Sequence, residues 1–274
     1  ADYSGGSPSD FSWDGKADSG EVLPDGVYSL VLSTTDRAGN AFSRRVDNVV
    51  VNTQQPPVNV AIDLSAFSPN GDGQKDRVSL SPSVPVRTGL ATWKLAVLDK
   101  DKKERWSRAG SDPASLPERL AFEGADLEGK TLPEGQYQAE LSVTYVNGHS
   151  PKSYSPFFTL DLTPPSATVK ADRAAFNPAG REGLNLVRFA QSGSQEERWT
   201  GEILGPGGAV ARTYSFGSEP DASVEWDGAD DAGKPVPDGV YSYRLKAVDR
   251  AGNAFSSAPA SVALDTEEKA ARLS

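Results

Sequence analysis

Apolar and polar residues alternate along several short stretches of this chain. Tyr137, Ala139, Leu141, Val143 and Tyr145 fall on one parity, and Gln138, Glu140, Ser142 and Thr144 on the other. Tyr28, Leu30 and Leu32 repeat the pattern near the start, and Tyr241, Tyr243, Leu245 and Ala247 near the end. A period of two sends successive side chains to opposite faces of an extended strand, so each stretch predicts an antiparallel strand with one face on a core. Turn residues punctuate the chain roughly every 8 to 12 residues, the spacing of a two-sheet sandwich. Helical spacing is confined to Glu267 to Leu273.

The strands recur in blocks. Trp13-Asp14-Gly15, Leu23-Pro24-Asp25-Gly26-Val27-Tyr28 and Asp36-Arg37-Ala38-Gly39-Asn40-Ala41-Phe42 return as Trp226-Asp227-Gly228, Val236-Pro237-Asp238-Gly239-Val240-Tyr241 and Asp249-Arg250-Ala251-Gly252-Asn253-Ala254-Phe255. A weaker copy reads Phe122-Glu123-Gly124, Leu132-Pro133-Glu134-Gly135-Gln136-Tyr137 and Asn147-Gly148. The anchors Trp13, Phe122 and Trp226 are 109 and 104 residues apart. That is the size of one immunoglobulin-type sandwich, about 100 residues. A second pattern, Phe67-Ser68-Pro69-Asn70-Gly71-Asp72-Gly73-Gln74-Lys75-Asp76, aligns without a gap on 176–185 and has no counterpart before Trp13.

The expected fold class is therefore all-β: tandem Ig-like or fibronectin type III-like antiparallel β-sandwiches. Residues 1–55 read as the C-terminal half of a repeat, 58–162 and 166–266 as complete repeats, and 267–274 as a tail. Thr53-Gln54-Gln55-Pro56-Pro57 and Thr163-Pro164-Pro165 mark the boundaries, and Pro-Pro stiffens such short connections toward a rod. Trp93 and Trp199 occupy matching places on the third predicted strand, where an indole suits the core. Tyr28, Tyr137 and Tyr241 follow a Pro-acid-Gly turn, the setting of a tyrosine corner, in which the phenol bonds to backbone a few residues upstream. The half repeat would leave an apolar face and a sheet edge uncovered, so residues 1–55 are a candidate for strand-exchange dimerisation.

Composition narrows the chemistry. The 274 residues carry a net charge of −10, which disfavours phosphate backbones, so nucleic-acid binding is not expected. The longest aliphatic run, Val49 to Val51, is far short of the roughly 20 residues of a membrane-spanning helix. With no cysteine, there is no disulfide framework, thiol nucleophile or thiolate metal site. The chain begins at Ala1 and has no methionine, which reads as a mature or excised fragment. Its one histidine, His149, falls on a predicted hairpin tip, and the acids fall in turns rather than in a cleft, so catalysis is not expected.

These residues carry a family resemblance. Trp-Asp-Gly, Leu-Pro-Asp-Gly-Val-Tyr and Asp-Arg-Ala-Gly-Asn resemble the Ig-like domain of the flagellar hook-capping protein, a module that recurs in tandem in bacterial surface and secreted proteins. The Phe67 to Asp76 run is similar to the opening of such modules. The resemblance covers nearly all of residues 11–265. It implies a fibronectin-type fold, a structural or adhesive role without catalysis, a place on the bacterial envelope or outside the cell, and protein or cell-surface partners. Two alternatives stay open: an accessory module of a larger secreted enzyme, and an assembly factor akin to the hook cap. A shared sandwich alone does not choose among them.

One loop is a candidate metal site. Ca²⁺ takes six to eight oxygen ligands on a tightly turning backbone. Asn70, Asp72, Gln74 and Asp76 supply oxygens at alternate positions, Gly71 and Gly73 permit the turn, and Asp63 on the preceding strand adds a carboxylate. The same sequence also reads as a plain turn, since Asn-Gly and Asp-Gly are hairpin signals. In the next repeat Asn70, Asp72 and Asp76 become Ala179, Arg181 and Asn185, so the chain holds one such site at most. Asp14/Asp18, Glu123/Asp126 and Asp227/Asp230/Asp231 read as turn chemistry.

Overall fold

The computed structural model describes residues 12–267 and divides into two units, one ending at Pro57 and one beginning at Val58. The expected helical tail lies, apart from Glu267, outside the described residues.

The first unit is a hairpin of β1 (Gly26–Thr35) and β2 (Ala41–Val51), paired from Gly26↔Val51 to Thr35↔Ala41. The turn between them is closed by Asp36, whose Oδ1 accepts from the Ala38 and Asn40 amides at 2.8 and 2.9 Å. A register shift between Tyr28 and Leu30 lies near Asn48, whose φ is +63°. Trp13 packs edge-on against Tyr28, with ring centroids 5.7 Å apart.

Two sandwiches make up the second unit. In the first sandwich the strands are β3 (Asn59–Ile62), β4 (Ala66–Phe67), β5 (Val78–Ser83), β6 (Leu90–Asp99), β7 (Glu104–Gly110), β8 (Leu120–Phe122), β9 (Gly135–Tyr145), β10 (Lys152–Tyr154) and β11 (Phe158–Leu160). One sheet runs β3-β5-β8; the other runs β4-β11-β9-β6-β7, with β10 also on β9. The second sandwich repeats the plan with β12 (Ala167–Ala171), β13 (Ala175–Phe176), β14 (Val187–Gly193), β15 (Trp199–Leu204), β16 (Val210–Phe216), β17 (Ser223–Trp226), β18 (Gly239–Val248), β19 (Ala254–Ser256) and β20 (Ala260–Leu264). Its sheets run β12-β14-β17 and β13-β20-β18-β15-β16, with β19 on β18. All pairings are antiparallel except the short β4–β11 and β13–β20 contacts, which are parallel. Among the described residues the only helical element is a 3₁₀ turn, Pro113–Ser115.

Each sandwich closes on its own core. Phe67, Phe122 and Phe158 meet with centroids 6.0–6.2 Å apart, and Leu80, Leu95 and Leu141 are sealed beside them. In the second sandwich Trp199, Trp226, Tyr243 and Phe189 are fully buried. Burying a large apolar side chain contributes about 1.5–3 kcal/mol, so these rows dominate the stability of each body. The parity read from β9 holds: Tyr137 to Tyr145 face in, and Gln138 to Thr144 face out.

Trp93 and Trp199 both lie in these cores, on β6 and β15. They fall on the fourth strand rather than the third, because the two-residue β4 and β13 leave no periodic signal in the sequence. The last strand is also broken in two. Pro156 and Pro259 have no amide to donate, so the ladder lapses there. Ser155 and Ser257 turn inward at the break, and their Oγ atoms accept from the Ala139 and Leu245 amides at 3.0 Å.

Candidate functional site

The Asn70–Asp76 loop leaves β4 and returns to β5, at one end of the first sandwich. The oxygens of Asn70, Asp72 and Asp76 accept bonds from within the loop, mostly from its backbone amides. Asp76 accepts from the Gly71 amide at Oδ1 (2.8 Å) and from the Gly73 amide at Oδ2 (2.9 Å). Asp72 Oδ1 accepts from Gln74 at 2.7 Å, and Asn70 Oδ1 from Asp72 at 3.0 Å. Gly71 and Gly73 have φ of +81° and +85°, the left-handed backbone that brings those amides round to one carboxylate. Two successive Asx turns, at Asn70 and Asp72, and the Asp76 carboxylate that gathers two upstream amides therefore shape the loop.

Asp63 stands apart from that network. Its Oδ1 accepts from the Ser79 amide at 2.8 Å, tying β3 to β5. Burial opposes its ionisation, but the Ser79 amide and hydroxyl and the nearby Arg119 hold its carboxyl below the usual range. Asp172 plays the same part in the second sandwich, accepting from Arg188 at 3.0 Å. The twin shows that Asp63 has a backbone role of its own, which its position in the sequence does not reveal. Asp63, Asp76 and Glu123 border one open hollow of about 720 Å³, together with Lys75 and Arg77. Asp63 and Asp76 are the proposed ligands that could meet a cation there; Asp72 and Gln74 do not line it. Among the described residues no three acids or histidines gather closely enough to form a metal set.

What the loop does touch is the next sandwich. Asn70 Nδ2 donates to Asn253 Oδ1 at 3.2 Å, and Lys75 Nζ donates to the Arg250 carbonyl at 2.7 Å. Asn253 is 3% exposed, and its Nδ2 donates both to the Asp161 carbonyl (3.0 Å) and to Asp249 Oδ2 (2.8 Å). Gly252, at φ +99°, lies against the Gln74 carbonyl: a Cβ there would stand 3.2 Å from it. The hairpin Asp249–Asn253 of the second sandwich thus sits in a cradle formed by the loop and the end of β11 in the first. Beside it, burial and the nearby Asp249 and Glu134 push the Asp161 carboxyl up.

The three tyrosines form the expected corners. Tyr28, Tyr137 and Tyr241 each donate to a proline carbonyl, Pro24, Pro133 and Pro237, at 2.7 Å. Acidic turns close on backbone amides: Asp126 Oδ1 accepts from Glu128 and Lys130, and Asp230 Oδ1 from Ala232 and Lys234. His149 lies in the β9–β10 turn, where its amide donates to Asn147 Oδ1.

No protein-family model and no curated protein matches the chain. Solved structures do resemble it. The tetra-tandem repeat in the extending region of a large adhesion protein is 19% identical, with a TM-score of 0.38, over 89% of this chain and 58% of that one. A structure from a 1.5-MDa bacterial ice-binding adhesin, concerned with host cell surface retention, is 16% identical, with a TM-score of 0.40, over 78% of this chain and 65% of that one. The fibronectin(III)-like modules of Clostridium thermocellum CbhA are 15% identical, with a TM-score of 0.39, over 78% of this chain and all of that one. The chain thus spans less than two thirds of the first two. The sandwich fold itself rests on the chain's own sheets and its two closed cores.

Proposed function

We propose that this chain is a non-catalytic structural or adhesive segment of a bacterial cell-surface or secreted protein. The carrying observation is the seat of Asn253. The Asn70–Asp76 loop of the first sandwich, and a backbone carbonyl at that sandwich's end, hold the next sandwich. The interiors are filled by their own aromatic side chains. Such modules set distance and orientation, and binding to a partner would fall to exposed loops and strand faces.

Antibody to this segment, applied to intact cells that make the parent protein, tests the reading. Labelling of unpermeabilised cells, with loss of attachment when the segment is deleted, is the expected result. A segment that stays hidden until cells are lysed, or whose removal leaves attachment unchanged while abolishing a catalytic activity, would overturn it.

A further inference from the structure

We infer that the Asn70–Asp76 loop, with the Asp161 carbonyl, is a recognition socket whose ligand is an Asp-x-x-x-Asn hairpin of an Ig-like repeat. Key and socket are distributed unequally along the chain, so the sequence of each junction decides whether it is seated. This deepens the reading of a spacer array by naming what fixes one repeat on the next.

The key is preformed. In the second sandwich Asp249 Oδ1 accepts from the Asn253 amide at 2.9 Å, and Asp249 Oδ2 from Asn253 Nδ2 at 2.8 Å. The hairpin Asp36–Asn40 has the same sequence and the same bonds, at 2.9 and 2.8 Å. Its setting differs: Ala38, Gly39 and Asn40 are exposed, whereas Ala251, Gly252 and Asn253 are buried. The bonds within the hairpin therefore do not require the socket. They hold the Asn amide rigidly, which lowers the entropy cost of docking.

The socket is selective through its donors and acceptors. Asn70 Nδ2 donates to Asp72 Oδ2 within the loop at 3.1 Å and also to Asn253 Oδ1, the Asp161 carbonyl accepts from Asn253 Nδ2, and Lys75 Nζ donates to the Arg250 carbonyl, so one carboxamide and one backbone oxygen of the hairpin meet all three groups. Glycine at 252 allows the hairpin to lie against Gln74. In the second sandwich the loop positions matching Asn70 and Lys75 hold Ala179 and Leu184, which have no side-chain donor, so this loop is not a socket. In the first sandwich His149 stands at the place of Asn253, and Tyr145 at that of Asp249, so this hairpin is not a key. The chain therefore carries two keys and one socket, and the loop that resembles a calcium turn is built to receive a hairpin.

The test uses the full chain with residual dipolar couplings and amide relaxation. In the parent protein the two sandwiches should report one alignment tensor and one tumbling time. Asn70→Ala combined with Lys75→Ala removes the socket's donors and leaves the Asp249–Asn253 bonds intact, so both folds persist. We expect the two tensors to separate and the tumbling time of each sandwich to fall by about a third or more, the mark of independent motion. Asn253→Ala should act alike, and Asn40→Ala, on the exposed copy, should change neither quantity. A socket variant that keeps one tensor, with both sandwiches folded, would overturn the inference, as would an Asn40→Ala effect equal to that of Asn253→Ala. Surface labelling of cells does not depend on this junction, so the two readings fail separately.

Discussion

The hydroxyl of Tyr241 donates to the carbonyl of Pro237 four residues upstream at 2.7 Å, and Tyr137 reaches Pro133 at the same distance. Each bond fixes the turn that launches the long strand on which the sandwich is built. Removing the hydroxyl leaves a part-buried carbonyl without its partner. Tyr137→Phe and Tyr241→Phe should each cost about 1 kcal/mol, read from denaturant unfolding of the corresponding sandwich. Tyr28→Phe should cost less, because water can replace the bond in the more exposed hairpin. Equal losses at all three sites would contradict this ranking.

Gly201 is set by its neighbour rather than by its backbone. A Cβ at Gly201 would lie 2.1 Å from the Tyr243 hydroxyl, which itself donates to Gln191 Oε1 at 2.7 Å. The matching residues of the first sandwich are Leu95 and Ala139, so bulk is exchanged between the two positions. Gly201→Ala should destabilise the second sandwich by about 1–3 kcal/mol through overpacking. In a Tyr243→Ala background the same Gly201→Ala change should cost less than in the parent, since the clash goes with the ring. Two losses that simply add would sink the explanation.

Asp161 gives the chain a pH signature. Its carboxyl is pushed up, first by burial and then by Asp249 and Glu134. The native state therefore binds this proton more readily than the unfolded chain does. Its ionisation costs stability as pH rises from the ordinary carboxylate value through the raised native one, and the cost is absent below both. Asp161→Asn should stabilise the second unit at pH 7 and lose that advantage in acid. The backbone carbonyl that receives Asn253 is retained in this variant. Melting temperatures measured between pH 3 and 7, chosen as about one unit below and three above the usual carboxylate range, check the sign. A benefit that grows in acid would reverse it.

The calcium question has a definite expected answer. Asp76 already accepts two amides, and the hollow it shares with Asp63 is also bordered by Lys75 and Arg77. Hard-cation sites need several free oxygens, and nearby cations weaken them. We expect the melting temperature to be the same in calcium and in chelator. A calcium-dependent rise that Asp72→Ala or Asp76→Asn abolishes would show that the loop holds the ion.

Alternation along Tyr137–Tyr145 made β9 and its inward row legible in the sequence, and the spacing of Trp13, Phe122 and Trp226 made the repeat legible. Two-residue strands such as β4 are too short to show a period, and the break at Ser155 depends on a side chain replacing a ladder bond. The oxygens of the Asn70 loop were evident; their occupants were not. Asp76 is held by its own loop's amides, and Asn70 by a residue 183 positions away. Such long-range partners leave no local signal.

The first unit shows what an uncovered row looks like. Leu32 is 55% exposed, whereas its counterparts Leu141 and Leu245 are fully buried. A lone two-stranded hairpin is marginal in water. Amides of β1 and β2 should exchange at least about 100-fold faster than those of β9 and β18 in dilute solution. Protection that appears as concentration rises would mark strand exchange through this hairpin; a strict monomer with protected β1 and β2 amides would contradict exchange.

The two sandwiches each close around a separate interior. Residues 58–162 and 166–267, prepared separately, are the direct test by amide exchange and thermal unfolding. Each should melt in one cooperative transition and keep slow amides on β9 or β18, even though its junction partner is gone. A fragment that shows no cooperative transition, or whose amides are protected only when the other fragment is added, would contradict it.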